Sequence, residues 1–164
     1  MLGALFLLFA APGILAYFFY NNPQYLGGIS TNKGTLLNPP ILVSELKQGS
    51  EKWDLVLWNR GTCSSQCRQK LDELARVRLA LGRYLYEINV VLLTPSSLDL
   101  IPEDFINILQ EEDVQFIRAE SSPIRENTRL YIANPQGFLV LSYEIDANPK
   151  DIYQDIKRLV AKNR

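Results

Sequence analysis

The residues able to do chemistry in this chain are Cys63 and Cys67, its only two cysteines among 164 residues. They lie in Trp58-Asn59-Arg60-Gly61-Thr62-Cys63-Ser64-Ser65-Gln66-Cys67, between an apolar run that reads as a strand and a charged, helix-favouring run. A strand feeding a tight turn and then a helix puts Cys63 at the helix N-terminus and Cys67 about one turn inside. Free backbone N–H groups and the positive end of the helix dipole favour a thiolate there. Such a thiolate attacks a disulfide, closes one with its partner, or holds a soft metal. The plainer alternative is an inert bridge, the commonest use of two cysteines in an oxidising compartment, giving modest stabilisation across so short a loop.

What the chain lacks narrows the chemistry. It has no histidine, which excludes Ser-His-Asp and Cys-His nucleophile pairs and any His-ligated zinc, iron or haem. Its one methionine is Met1, far from the cysteines. Formal net charge is −1, no basic stripe is interleaved with aromatics, and no glycine-rich phosphate loop is present, so nucleic acid and nucleotide are not expected partners. Asp99, Glu103 and Asp104 show no pairing suited to acid–base work, and Glu111-Glu112-Asp113 reads as a solvated helix end.

Placing the pair is the work of the remaining segments. Every charged residue lies from Lys33 onward, so two different solvents are implied for the two parts of the chain. Residues 2–20 (LGALFLLFAAPGILAYFFY) are long enough to cross a bilayer core as a helix, and Tyr17 to Tyr20 with Tyr25 suit a membrane interface. A span tolerates Pro12, and no clean small-x-small cleavage site follows. Residues 1–21 are therefore expected to be a transmembrane anchor, 22–40 (rich in Asn, Gly and Pro) an extended tether, and 41–164 one globular domain. No Lys or Arg precedes the span, so orientation rests on the chemistry: a paired-cysteine motif belongs on the oxidising side.

Within the domain, residues 41–46 read as a short edge strand and WDLVLW (53–58) as a buried one. Residues 68–82 form a helix stopped at Gly82, with Leu71, Leu74, Val77 and Leu81 as a buried stripe in line with Cys67. Arg78 falls beside that stripe and must snorkel or pair. INVVLL (88–93) is a second buried strand, 102–112 a helix opened by Pro102, and 114–118 a third strand. Residues 129–134 and 138–143 flank Pro135-Gln136-Gly137 as a hairpin, and 151–162 carry Ile152, Ile156, Leu159 and Val160 at helical spacing. This alternation implies an α/β fold with a central mixed sheet.

The order, with a dithiol at the first strand-to-helix turn and a final hairpin YIANPQGFLVLSY, resembles the thioredoxin fold. The CxxxC spacing on a membrane-tethered domain is similar to the Sco family of cytochrome oxidase copper-assembly proteins, as is the tether stretch NKGTLLNPP (32–40). Two departures stand out. Ser64 occupies the position after the first cysteine where the Sco pattern has proline, and the Sco copper-binding histidine would fall near Glu126. A carboxylate is a poor Cu(I) ligand, so the carry-over covers Cys63 and Cys67 alone.

The resemblance implies a bacterial inner-membrane protein with its thioredoxin-like domain in the periplasm, serving cytochrome c oxidase biogenesis. Three readings of the pair stay open. In the first, Cys63 attacks a thiol-containing client, such as an oxidase subunit or assembly factor, and Cys67 resolves the mixed disulfide. In the second, the same two cysteines carry Cu(I), which two thiolates hold linearly; copper is the one cofactor the resemblance suggests. In the third, the disulfide is structural and the domain is an assembly scaffold. Trp53 and Trp58 read most simply as core or wall residues of the strand at 53–58, with Trp58 also a candidate to pack near the dithiol. Arg60 and Arg68 read as solvated surface arginines, and are also candidates to lower the thiolate pKa. Pro123 is a candidate for the cis-proline that faces the pair.

Overall fold

The computed structural model describes residues 2–22 (2–8 as backbone), 31–47, 51–95, 114–119, 123–124 and 128–162. The chain divides into two compact units, Met1–Thr31 and Asn32–Arg164. The first contains helix α1, Leu2–Asn21, with Pro12 inside it and no charge in its first or last turn. Among the described residues, however, no helix is long and apolar enough to cross a membrane. The fold therefore shows the helix that the sequence implies, and does not show a span.

The second unit is built on one mixed sheet. Its described strands are β1 (Thr35–Leu42), β2 (Trp53–Asn59), β3 (Ile88–Thr94), β4 (Val114–Arg118), β5 (Thr128–Ala133) and β6 (Phe138–Tyr143), in spatial order β1-β6-β5-β2-β3-β4. β2, β3 and β4 run parallel, while β5 opposes β2, β6 opposes β5 and β1 opposes β6. Every residue of β2 and β3 is buried. That is why their sequences are nearly continuous apolar runs: central parallel strands have no wet face on which polar residues could alternate. The parallel β3–β4 pair requires a crossover, and the expected helix 102–112 falls in it, outside the described residues.

Alternation along each strand splits the interior into two layers. Leu55, Leu57, Val90, Leu92, Leu130 and Ile132 face one side, where they meet helix α2 (Ser65–Ala80) and helix α3 (Pro149–Lys162). α2 contributes the expected stripe of Cys67, Leu71, Leu74 and Val77, joined by Leu81 just past its end, and α3 contributes Ile152, Ile156 and Val160. Leu159 is packed at the margin of the same layer. Val56, Trp58, Val91, Leu93, Tyr131 and Leu139 face the other side, under Val43, Leu46 and Ile124. Gly82, at φ 56°, ends α2 in the left-handed conformation that a side chain would strain, and a 3₁₀ segment (Gly82–Glu87) leads into β3. Arg78 resolves its awkward place by pairing, since its Nε donates to the Ile88 carbonyl at 2.8 Å.

The stretch expected to be an extended tether through residue 40 is sheet from Thr35 onward. β1 begins at Thr35 and pairs with β6, with a register shift between Leu36 and Ile41 that accommodates Asn38-Pro39-Pro40. Prolines cannot donate to a ladder, so an edge strand with a bulge is where they fit. The strand expected over 41–46 is the end of β1 followed by a 3₁₀ turn, Ser44–Leu46. A buried carboxylate fixes the start of this unit. Asp155 of α3, 1% exposed, accepts hydrogen bonds from the backbone N–H of Lys33 (2.7 Å) and Gly34 (2.9 Å) and from the Tyr143 hydroxyl (2.8 Å). Gly34 lies so close to Tyr143 that a Cβ there would sit 2.5 Å from the ring. Burial and the Asp155 carboxylate push the Tyr143 hydroxyl pKa well above its ordinary value.

Candidate functional site

β2 delivers the chain to one edge of the sheet at Asn59, and α2 takes it back from Ser65. The five residues between them carry Cys63. Ser64 is the N-cap, extended at φ −71° and ψ 177°, and its side chain makes no capping bond. The first helical bond runs from the Arg68 N–H to the Ser64 carbonyl at 3.1 Å. Cys67 is thus the third helical residue, on the side of α2 that carries Leu71 and Leu74 into the core. Cys63 sits just before the cap, where unpaired N–H groups collect.

The two sulfurs are joined in a disulfide with their Cα atoms 5.2 Å apart. Their surroundings differ. Cys67 is 3% exposed within the core layer, whereas Cys63 is half-buried and packs on that layer from outside. Arg60, Gly61, Thr62, Ser64, Ser65, Gln66 and Arg68 around them are all exposed. No acidic residue occupies the first turn of α2. In a reduced pair the helix end would favour a thiolate on Cys63, with no carboxylate on the first turn of α2 to oppose it. An incoming group reaches Cys63, and the buried Cys67 meets chiefly Cys63.

The loop is held from behind by Asn59, the residue that follows the apolar run 53–58. Asn59, 7% exposed, donates from Nδ2 to the Gly61 carbonyl at 2.9 Å. Its Oδ1 accepts from the Thr128 hydroxyl at 3.0 Å. Thr128 is the first residue of β5 and stands directly opposite Asn59 in the antiparallel register. A contact across 69 positions leaves no mark in local sequence, but a polar residue closing an apolar strand before a cysteine loop is a usable signal.

Other candidates fall differently. Trp58 is buried, yet packs in the layer of Val56 and Val91, on the opposite face of the sheet from Cys63 and Cys67. Its burial agrees with the reading of Trp58 as a core residue of the strand, and strand alternation sends it away from the dithiol, which corrects the alternative that it packs there. Arg60 and Arg68 flank the pair as exposed side chains. Pro123 is exposed, and its bond to Ser122, like Glu126, lies outside the described residues. Among the described residues no group of three His, Cys, Asp or Glu side chains could hold a metal ion. Among the described residues the soft donors here are the two cysteine sulfurs, a ligand type that suits Cu(I) when reduced. Asp54, unforeseen, is buried near the start of β2 on the Trp58 face. Its carboxyl is pushed up to about 6 by burial, against the lowering effects of a 3.0 Å hydrogen bond from Asn89 and of the Lys52 charge. It lies five strand positions from Asn59, about 17 Å at the usual rise, and so takes no direct part at the disulfide.

Residues 53–162 match the family described as transmembrane-like, thioredoxin-like, C-terminal domain. The chain belongs to this family. Its fold is shared with solved Sco structures. The apo Sco1 protein from Thermus thermophilus aligns at TM-score 0.59 and 16% identity, covering 80% of this chain and 99% of that one. Yeast Sco1 with copper bound aligns at TM-score 0.55 and 13% identity, covering 78% and 92%. Bradyrhizobium japonicum ScoI with copper bound gives 0.52 and 16%, covering 76% and 98%. At these identities the likeness is one of fold, and it agrees with the thioredoxin-like, Sco-like reading of the sequence. No curated relative matches the chain.

Proposed function

We propose that this family member works by thiol–disulfide exchange through Cys63 and Cys67, as a membrane-anchored periplasmic protein in cytochrome c oxidase biogenesis. The observation that carries the chemistry is the asymmetry of the pair: one sulfur half-exposed ahead of a helix N-terminus, its partner buried one turn inside. An inert bridge needs no such division. An exchanging pair does, because the outer sulfur must meet the client and the inner one must meet only the outer. In the reducing direction, the Cys63 thiolate attacks a client disulfide and releases one client thiolate. The Cys67 thiolate then attacks the Cys63 sulfur, frees the second client thiolate, and closes the Cys63–Cys67 bond. Two electrons pass to the client, the two protons lost by the pair reappear on client thiols, and a dithiol protein reductant resets the pair.

The setting is supported by the fold shared with Sco proteins, by the uncharged N-terminal helix and by the oxidising compartment that a disulfide of this kind requires. The experiment uses the purified full chain with Cys67→Ser. With the resolving sulfur gone, Cys63 accumulates as a mixed disulfide with a thiol client or with glutathione, read by mass. Cys63→Ser gives none. Failure of Cys67→Ser to trap any thiol partner overturns the exchange reading.

A second reading is carriage of Cu(I) as cargo, favoured by the copper bound in two of the structures that share the fold. The reduced pair would then take up one Cu(I) per chain against a competing chelator, and either Cys→Ser change would abolish uptake.

A further inference from the structure

We infer that Asn59 is a positioning residue for the cysteine pair: its carboxamide, tied to Gly61 and Thr128, holds the loop so that the Cys63–Cys67 bond closes more readily. The inference rests on the exchange reading above. Closing is the step in which the Cys67 thiolate attacks Cys63, and its equilibrium depends on how much freedom the loop must give up. Cys67 is fixed by the core. Cys63 is reached through residues 60–62, which are exposed, and nothing lies within 4 Å of where a Cβ on Gly61 would be. Packing therefore does not hold this part of the loop, and the hydrogen bond from Asn59 to the Gly61 carbonyl does.

That bond is effective because Asn59 is itself immobile. Its backbone is in the sheet, its side chain is buried, and its remaining acceptor is occupied by Thr128 on the facing strand. A side chain pinned at both ends restrains the loop in the dithiol as well as in the disulfide. Part of the ordering cost of the bond is then already met before it forms, which is the general effect of preorganisation. Loss of the restraint frees the dithiol more than the disulfide, and the bond becomes easier to reduce.

The test measures the equilibrium of the pair with glutathione, by thiol trapping, in the full chain and four variants. Asn59→Ala is expected to shift the constant toward the dithiol about three- to ten-fold, roughly 14–30 mV at 29.6 mV per factor of ten. Thr128→Val shifts it the same way by a smaller factor, and Thr128→Ser, which keeps the hydroxyl, leaves it at the wild-type value. Asn89→Ala removes a buried side-chain hydrogen bond at the other end of the sheet, and is expected to lower stability without moving the constant. If Asn59→Ala moves the constant no further than Asn89→Ala, the positioning role is overturned while exchange stands. A wild-type pair that stays oxidised throughout the glutathione series removes the exchange reading, and this inference with it.

Discussion

At its C-terminal end β2 buries Asn59, a neutral side chain whose donor and acceptor are both engaged. Near its N-terminal end it buries Asp54, an ionisable side chain held by one hydrogen bond from Asn89, with its carboxyl pushed up to about 6. Both are polar groups taken out of water in one strand, and they answer that cost differently. A fully partnered carboxamide gives geometry that does not change with pH. A poorly compensated carboxylate gives a stability that does. The neutral solution stands beside the disulfide and the titrating one about 17 Å away along the strand, which leaves the pH response of the site to the cysteines themselves.

The largest way to sharpen this contrast is to remove the site. Cys63→Ser and Cys67→Ser should each abolish turnover in an insulin-reduction or equivalent disulfide assay, while thermal unfolding remains cooperative. Next in size is a third buried polar group. Asp155→Ala strands two backbone N–H groups and the Tyr143 hydroxyl, and should cost at least about 3 kcal/mol in urea unfolding, since each of these orphaned buried donors costs about 1–3. It compares a carboxylate with three donors against Asp54.

The pH test addresses Asp54 itself. Its folded pKa is raised above the ordinary 3.8, so in this window the native state holds a proton that the unfolded chain has lost. The contribution is fully present below about pH 4 and is lost as pH rises toward 6, by up to about 3 kcal/mol at 1.36 per pH unit. Asp54→Asn should flatten stability between pH 4 and 6, and an unchanged slope would remove Asp54 from the comparison. The smallest expected effect is that of Trp58→Phe. Because Trp58 faces the other layer, the change should lower stability and leave the equilibrium of the disulfide with glutathione within a factor of two.

Much of this architecture is legible in the sequence because burial writes itself into pattern. The runs at 53–58 and 88–93 are apolar without alternation, and both are central, fully buried strands, paired parallel to each other. The helix after the cysteines, its stop at Gly82 and the hairpin around Pro135-Gln136-Gly137 follow from local rules of spacing and turn chemistry. β1 was hidden because two prolines in a row argue against a strand, and only pairing with β6, far along the chain, makes an edge strand of that stretch. The cysteines announced themselves by type. Asn59, Thr128 and Asp155 did not, since their roles come from register and from contacts between segments far apart in the chain. Trp58 is a core residue, as its place in an apolar strand implies, and a count of alternating faces from Leu57 puts it on the side away from Cys63, against the alternative that its nearness in sequence suggests.

The central claim, that the Cys63–Cys67 bond is made to open, is tested most directly by its reduction potential in the full chain. Thiol trapping across a series of glutathione buffers would give it. A value near −200 mV, in the range of protein dithiols that exchange with clients, is the result expected of the asymmetric pair described above. A bond that remains closed below about −300 mV would be a structural disulfide, and would contradict the account.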